Sequence, residues 1–331
     1  MKRILSAIKP TGQLTLGNYI GALRHFKDHQ DEGEVYIFVA DLHALTLPIE
    51  PEILRQNTID IACYYLASGL DPKKTTIFLQ SSVSAHAELN AIIQNYLYMG
   101  ELRRMTQFKD KCSKMKDSEV GLGIFAYPVL MAADIILYDA DVVPVGEDQS
   151  QHVELCRDLV HRFNARYGKE IFKMPKAEVP MTGARIMSLS DPSKKMSKSD
   201  PKGDIFLNDD IKVIRKKIMS AKTDMLARVH YDPIEQPGVS NLLTIYASLS
   251  DITPQEAEKR FEGLTMYGEF KKAVADKVEE ELLPFKNRFQ EIKDNKIYLD
   301  VLRDGAKKAR LTANKTLKRA QKAVGLLSLD E

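Results

Sequence analysis

EVYIFVAD, residues 34–41, sets six apolar residues in a row between two carboxylates. A run this short reads as a strand. Its lack of polar alternation puts both faces under cover, as in a parallel sheet. Upstream, residues 3–8 form a second short apolar run, ended by the turn signal Lys9-Pro10-Thr11-Gly12. Between the two, residues 17–29 place Tyr19, Ile20, Leu23 and Phe26 at helical spacing. Downstream, residues 51–68 read as a helix with Pro51 at its start and Gly69 past its end. TTIFLQ, residues 75–80, is a third strand, and residues 85–98 a helix closed by Gly100. This βαβαβ order predicts an α/β fold with a doubly wound parallel sheet and right-handed crossovers. Ligands on such sheets bind at the carboxyl ends of the strands, near the point where strand order reverses.

Residues 101–120 are polar and contain Lys109, Lys111, Lys114 and Lys116, which predicts a mobile loop. A helix at 128–138, a strand at 141–145 (DVVPV) and a helix at 147–166 follow. Met187-Ser188-Leu189 ends a further strand-like piece. From about residue 209 only helical patterns remain, so a domain change is placed near 205.

Composition narrows the function classes. The chain has 331 residues, 44% hydrophobic and 28% charged, as expected of a soluble globular protein with room for a large and a small domain. A net charge of +2 does not by itself announce a nucleic-acid partner. Cys63, Cys112 and Cys156 include no C-x-x-C pair, which argues against a disulfide framework and a structural zinc site. The N-terminal apolar run is too short for a signal peptide, and no run approaches the roughly 20 residues that span a bilayer. A cytoplasmic protein is expected, with no membrane partner and no zinc.

Lys195-Met196-Ser197-Lys198-Ser199 is the strongest chemical signal. Such a string arises by chance in about one chain in ten thousand of average composition. Two lysines flank a serine on a polar loop. Ammonium groups so placed neutralise charge that develops on a departing pyrophosphate. A solvated basic loop between domains is the bland alternative. The second signal is Pro10-Thr11-Gly12-x-x-Thr15-Leu16-Gly17-Asn18, after the first strand. Gly17 there lets a base or phosphate approach the backbone, and helix-start N–H groups favour anionic oxygens. Thr15 and Asn18 equally suit a plain helix cap.

Together the two motifs resemble the paired signatures of class I aminoacyl-tRNA synthetases, usually H-I-G-H and K-M-S-K-S. Thr15-Leu16-Gly17-Asn18 departs at both histidine positions, in the manner characteristic of tryptophanyl-tRNA synthetases. Gly17-Asn18-Tyr19-Ile20-Gly21-Ala22, the block from Gly100 to Lys109 (GELRRMTQFK), Leu130-Met131-Ala132-Ala133-Asp134-Ile135, Val145-Gly146-Glu147-Asp148-Gln149 and the block from Gly183 to Leu189 (GARIMSL) are similar to bacterial members of that family, in the same order and over essentially the whole chain. The resemblance implies a Rossmann-like catalytic domain at 1–205, with a dimerisation insert at about 85–145. It implies a helical tRNA anticodon-binding domain at 206–331, whose last helix packs back on the first. It also implies a homodimer, ATP as substrate with Mg²⁺, and L-tryptophan and tRNA(Trp) as partners.

Tyr127, Met131 and Asp134 fall at i, i+4 and i+7, on one helix face. A carboxylate among Leu130, Met131, Ala132, Ala133, Ile135 and Ile136 needs a donor, and an indole N–H is one. Pairing with a neighbouring residue would satisfy it too. The resemblance makes Asp134 the partner of the indole nitrogen, with Met131 as an apolar wall. It puts Tyr127 and Gln149 at the amino-acid ammonium and carboxylate. His43 follows the second strand, where the ligand crevice falls, and reads either as a substrate contact or as a packed or capping histidine. The resemblance assigns Gly146, Glu147 and Asp148 to the ATP ribose and Ile186 to the adenine. Lys9, Pro10, Thr11, Thr15, Gly17 and Asn18 fall to ATP, with Lys195, Met196, Ser197, Lys198 and Ser199. Lys111, Lys195 and Lys198 are the expected catalytic cations. Lys9 departs from the family, which commonly has glutamine there, so its contact does not carry over. Eight Lys/Arg between 303 and 322, against Asp304 alone, predict a phosphate footprint or a solvated helix face. The rival readings are a tyrosyl-tRNA synthetase, a non-catalytic paralogue and a small-molecule nucleotidylyltransferase of similar fold. Thr15, the 146–149 block, the intact signature lysines and the basic C-terminal segment stand against them.

Overall fold

In the computed structural model, which describes residues 2–113, 116, 120–179, 185–197 and 200–328, five strands form one parallel sheet. They are β1 (Arg3–Ile8), β2 (Glu34–Val39), β3 (Thr75–Leu79), β4 (Val142–Pro144) and β5 (Lys176–Glu178), in the order β3-β2-β1-β4-β5. β1 and β2 pair from Arg3↔Glu34 to Ile8↔Val39, and β2 and β3 from Val35↔Thr75 to Val39↔Leu79. On the other side β1 meets β4 at Ile4↔Val142. The chain therefore winds outward from β1 to β3, then returns to lay β4 on β1's free edge. The switch point lies between β1 and β4.

The apolar run of β2 is explained by what covers it. Val35, Ile37 and Val39 enter one buried cluster, Tyr36 and Phe38 another, on opposite faces. The first cluster runs unbroken from the sheet into the C-terminal helices, through Phe270, Val274, Val278, Leu282 and Phe285 of the helix Tyr267–Asp294. The second takes in the helix Leu122–Leu137 and the last helix, Ile297–Val324. That last helix lies on the sheet through small residues. A Cβ on Gly305 would sit 1.7 Å from the Ile77 carbonyl oxygen, so only glycine permits this approach. Ala306, Ala309, Ala313, Leu317 and Ala320 continue the contact, while Leu311 is exposed. Arg319 grips the Asp139 carboxylate with two N–H groups, at 3.0 and 2.5 Å.

Several local expectations are corrected. The segment after β1 is not one helix: Ala22 leaves helical geometry (φ −144°), dividing the helix Leu16–Gly21 from the 3₁₀ turn Leu23–Asp31. Arg24 there bonds Ser248 O and both Asp251 carboxylate oxygens, so tertiary contacts set its path. Gly100 does not close the helix Ala85–Ile93 but lies inside the next one, Met99–Arg104. Arg162 holds Glu101 of that helix through two N–H groups, and Glu101 caps Tyr98 N. The supposed loop continues as the helix Thr106–Cys112; residues 114, 115 and 117–119 lie outside the described residues. The helix read from 128 starts at Leu122, with Pro128 inside it. Met187 makes an isolated antiparallel bridge with Lys195 instead of ending a strand. β5 (KAE) is too short and polar to announce itself. Among the described residues, no helix is long and apolar enough to cross a membrane.

Candidate active site

A cavity of about 990 Å³ opens where β1 and β4 end, at the switch point. Ser6 to Lys9 and Val143 to Gly146 form its floor. Tyr127, Met131 and Asp134 line one wall, as their helical spacing requires. Ile186, Lys195 and Met196 line another, beside Gly17 and Asn18.

Asp134 is 3% exposed, and its carboxylate is surrounded by donors. Gln80 Nε2 and His86 Nδ1 reach Oδ1 at 2.8 and 2.6 Å; His43 Nε2 reaches Oδ2 at 2.8 Å. Burial pushes the carboxyl pKa up, but His43 and His86 outweigh it and hold it down to about 2. The group is an anion and accepts only. A carboxylate has about four acceptor positions, and three are filled here. The pairing with neighbours and a role toward a ligand are thus compatible. Gln80 ends β3 and His86 opens the helix after it. Neither was singled out from the sequence, although the strand-end rule points to both positions.

Tyr127 Oη bonds His152 Nε2 at 2.8 Å, and burial raises its phenol to about 12, so it keeps its proton. Gln149 donates to Asp148 at 2.7 Å, as does the cavity-lining Gln107 at 3.0 Å, a further residue the sequence reading missed. Glu147, Asp148 and Gln149 form one 3₁₀ turn at the cavity edge, before the helix Ser150–Tyr167. Lys9 Nζ donates to Thr46 Oγ1 at 2.8 Å, and Thr46 Oγ1 donates to His43 O at 2.9 Å, so Lys9 is tied to the loop that carries His43.

Thr15 and Asn18 form a reciprocal capping box: Thr15 N donates to Asn18 Oδ1 at 3.0 Å, and Asn18 N to Thr15 Oγ1 at 3.4 Å. Thr15 is buried and bridges Phe206, while a Cβ on Gly17 would lie 3.5 Å from Ile186 Cβ, beside the cavity that both residues line. Pro10 and Thr11 form the turn after β1, with Pro10 O accepting from Asn57. The Lys195 segment is a hairpin. Ser188 N donates to Lys194 O at 2.8 Å and Met196 N to Ile186 O at 2.9 Å. Asn241, on the helix Pro237–Leu249, clasps its base, accepting from Met187 N at 2.8 Å and donating to Met187 O at 2.9 Å. Met196 is buried, and Lys195 and Ser197 are exposed. Lys198, Ser199 and the side chain of Lys111 lie outside the described residues.

A Rossmann-type sheet, a switch-point cavity and a lysine-bearing hairpin beside a capped glycine turn define a nucleotide-using α/β enzyme. The model of the family described as tRNA synthetases class I (W and Y) matches residues 1–283, and the chain belongs to that family. It is 49% identical to the tryptophan–tRNA ligase of Clostridium perfringens, over 98% of both chains. It is 50% identical to that of Bacillus subtilis, over 98% of this chain and 97% of the relative. A crystal structure of tryptophanyl-tRNA synthetase from Mycoplasma pneumoniae matches with TM-score 0.88 and 35% identity over 99% of both chains. One from Campylobacter jejuni, complexed with ADP and tryptophan, matches with TM-score 0.84 and 33% identity over 98% of this chain and all of the other. Within the family the chain falls with the tryptophan–tRNA ligases.

Proposed function

We propose that this cavity activates L-tryptophan with ATP, releasing pyrophosphate, and passes the tryptophanyl group to tRNA(Trp). One observation carries the reading: a buried, ionised carboxylate with one acceptor position left faces the same cavity as the signature lysine. Asp134 accepts the indole N–H, and Met131 packs on the ring. His43, Tyr127 and Gln149 contact the amino acid. Gly17, Asn18, Ile186 and Met196 bound the adenosine, with Gly146, Glu147 and Asp148 at the ribose. The turn 9–11, Thr15 and Ser197 are assigned to the phosphates, as are Lys198 and Ser199, which lie outside the described residues.

The tryptophan carboxylate attacks the α-phosphate in line. Lys195, Lys198 and Lys111 neutralise the charge that grows on pyrophosphate, so catalysis is positioning and charge stabilisation. Mg²⁺ would supply further charge neutralisation. Among the described residues no group of three His, Cys, Asp or Glu could hold a metal.

Residues 206–331 take the tRNA. All eight Lys/Arg of residues 303–322 are exposed; Arg310 and Arg319 reach back to Ser82 O and Asp139, and the other six suit phosphate contact. A homodimer forms through the 85–145 insert, where Tyr98, Met99 and Leu122 are 60%, 58% and 78% exposed. The enzyme works in the cytoplasm. ATP–pyrophosphate exchange with each of the twenty amino acids tests the assignment. Tryptophan is expected to support exchange far above the rest; equal exchange with tyrosine would overturn it.

A further inference from the structure

Behind Asp134 lies a buried group that the mechanism above does not use. His86 is fully buried, at 0% exposure, and both ring nitrogens are engaged. Nδ1 lies 2.6 Å from Asp134 Oδ1, and Nε2 lies 2.8 Å from the Tyr138 hydroxyl. The ring packs among Phe38, Phe78 and Tyr138. An ionised carboxylate only accepts, so Nδ1 carries the hydrogen and donates to Asp134. Nε2 is held by the Tyr138 hydroxyl, whose proton burial retains, so the ring is fixed from both sides. Gln80 is oriented in the same way by the backbone. Its amide oxygen accepts from Leu42 N at 3.1 Å and His43 N at 3.4 Å, which turns its N–H₂ toward Asp134. Oδ1 thus spends both acceptor positions on buried donors. Among the described residues Oδ2 has only His43, which lines the cavity.

We propose that His86, backed by Tyr138, is a positioning residue for amino-acid selection: it fixes the Asp134 carboxylate so that its one open acceptor position faces a ring N–H. The inference rests on Asp134 as the indole acceptor. Without the relay, Oδ1 lacks a donor in an apolar setting, and the carboxylate rotates or binds a proton. A rotated or protonated group no longer rewards an N–H over a ring that lacks one.

The test compares tryptophan with β-(3-benzothienyl)alanine, in which sulfur replaces the ring N–H, by pyrophosphate exchange. His86→Leu is expected to lower kcat/KM for tryptophan about ten- to a hundredfold and to leave the sulfur analogue within about threefold. The KM for ATP stays within about twofold. His86→Asn, whose amide N–H sits near the Nδ1 position, recovers most of the preference. Tyr138→Phe removes only the hydroxyl and narrows the preference about three- to fivefold, and it stands in if His86→Leu does not fold. A folded His86→Leu or Tyr138→Phe enzyme with the parental preference overturns the proposal. Asp134→Ala separates the two readings. If it abolishes the preference while the His86 and Tyr138 variants keep it, the relay fails and the Asp134 assignment stands. If Asp134→Ala keeps the preference, both fail.

Discussion

The wall that carries Asp134 and the hairpin that carries Lys195 border one cavity but are built on opposite principles. Asp134 sits near the end of a 16-residue helix packed in the second core, with three side-chain donors on its carboxylate. Lys195 is exposed, on a hairpin closed by backbone bonds and clasped at its base by Asn241. The first arrangement can discriminate, because a buried acceptor that cannot move penalises any ligand without a donor. The second suits charge that appears only in the transition state, where a cation on a lightly held segment reaches the departing phosphates at little reorganisation cost. If this division is right, changes to the two walls have separable effects on binding and rate.

The largest effect is expected from Lys195→Ala. Single-turnover adenylate formation should fall about a hundred- to a thousandfold, or roughly 3–4 kcal/mol. Tryptophan affinity should stay within about twofold. The chain contains no tryptophan, so the fluorescence of bound substrate reports that affinity directly. A near-normal rate would remove the hairpin from the chemistry.

Asp134→Ala should do the reverse. Its kcat/KM for tryptophan drops by about ten- to a hundredfold, mostly through KM, and phenylalanine loses less. Equal losses for tryptophan, tyrosine and phenylalanine in a folded variant would make Asp134 structural and erase the contrast.

The same wall should answer to pH. The Asp134 carboxyl is depressed from 3.8 to about 2 in the folded chain, equivalent to roughly 2 kcal/mol of stability. That contribution is complete well above pH 4 and is lost as pH falls through about 2, with about half gone by pH 3. Urea midpoints of the parent and Asp134→Asn, measured at pH 6 and pH 3, should converge at the lower pH. A constant gap would mean that the charge is not what stabilises the wall.

The smallest effect sharpens the comparison. Asn241→Ala removes both bonds to Met187 while touching nothing in the Asp134 wall, and should slow adenylate formation about tenfold with tryptophan affinity unchanged. Weakened tryptophan binding there would show that the two walls are mechanically joined.

What could be read in advance follows the range of the interactions involved. β2 announced itself because covering both faces of a strand demands an unbroken apolar run. Tyr127, Met131 and Asp134 grouped correctly because helical spacing is local. Pro128 misled because proline usually opens a helix, whereas here it sits in the seventh position. Gly100 misled in the same way, as a stop signal that the Arg162–Glu101 pair overrides from 61 residues away.

The sequence by itself determined the βαβαβ order, the signature lysines and the family, since these rest on neighbouring residues and on words of a few letters. Only the tertiary structure decided that Gln80 and His86, 54 and 48 residues from Asp134, complete its shell. It also decided that Asn241 clasps a hairpin 54 residues away, and that Gly305 lets the last helix lie against β3. Such contacts form when separate elements pack. A lone histidine, asparagine or glycine looks the same in sequence whether it meets solvent or a buried carboxylate, and only the closing of the core tells them apart.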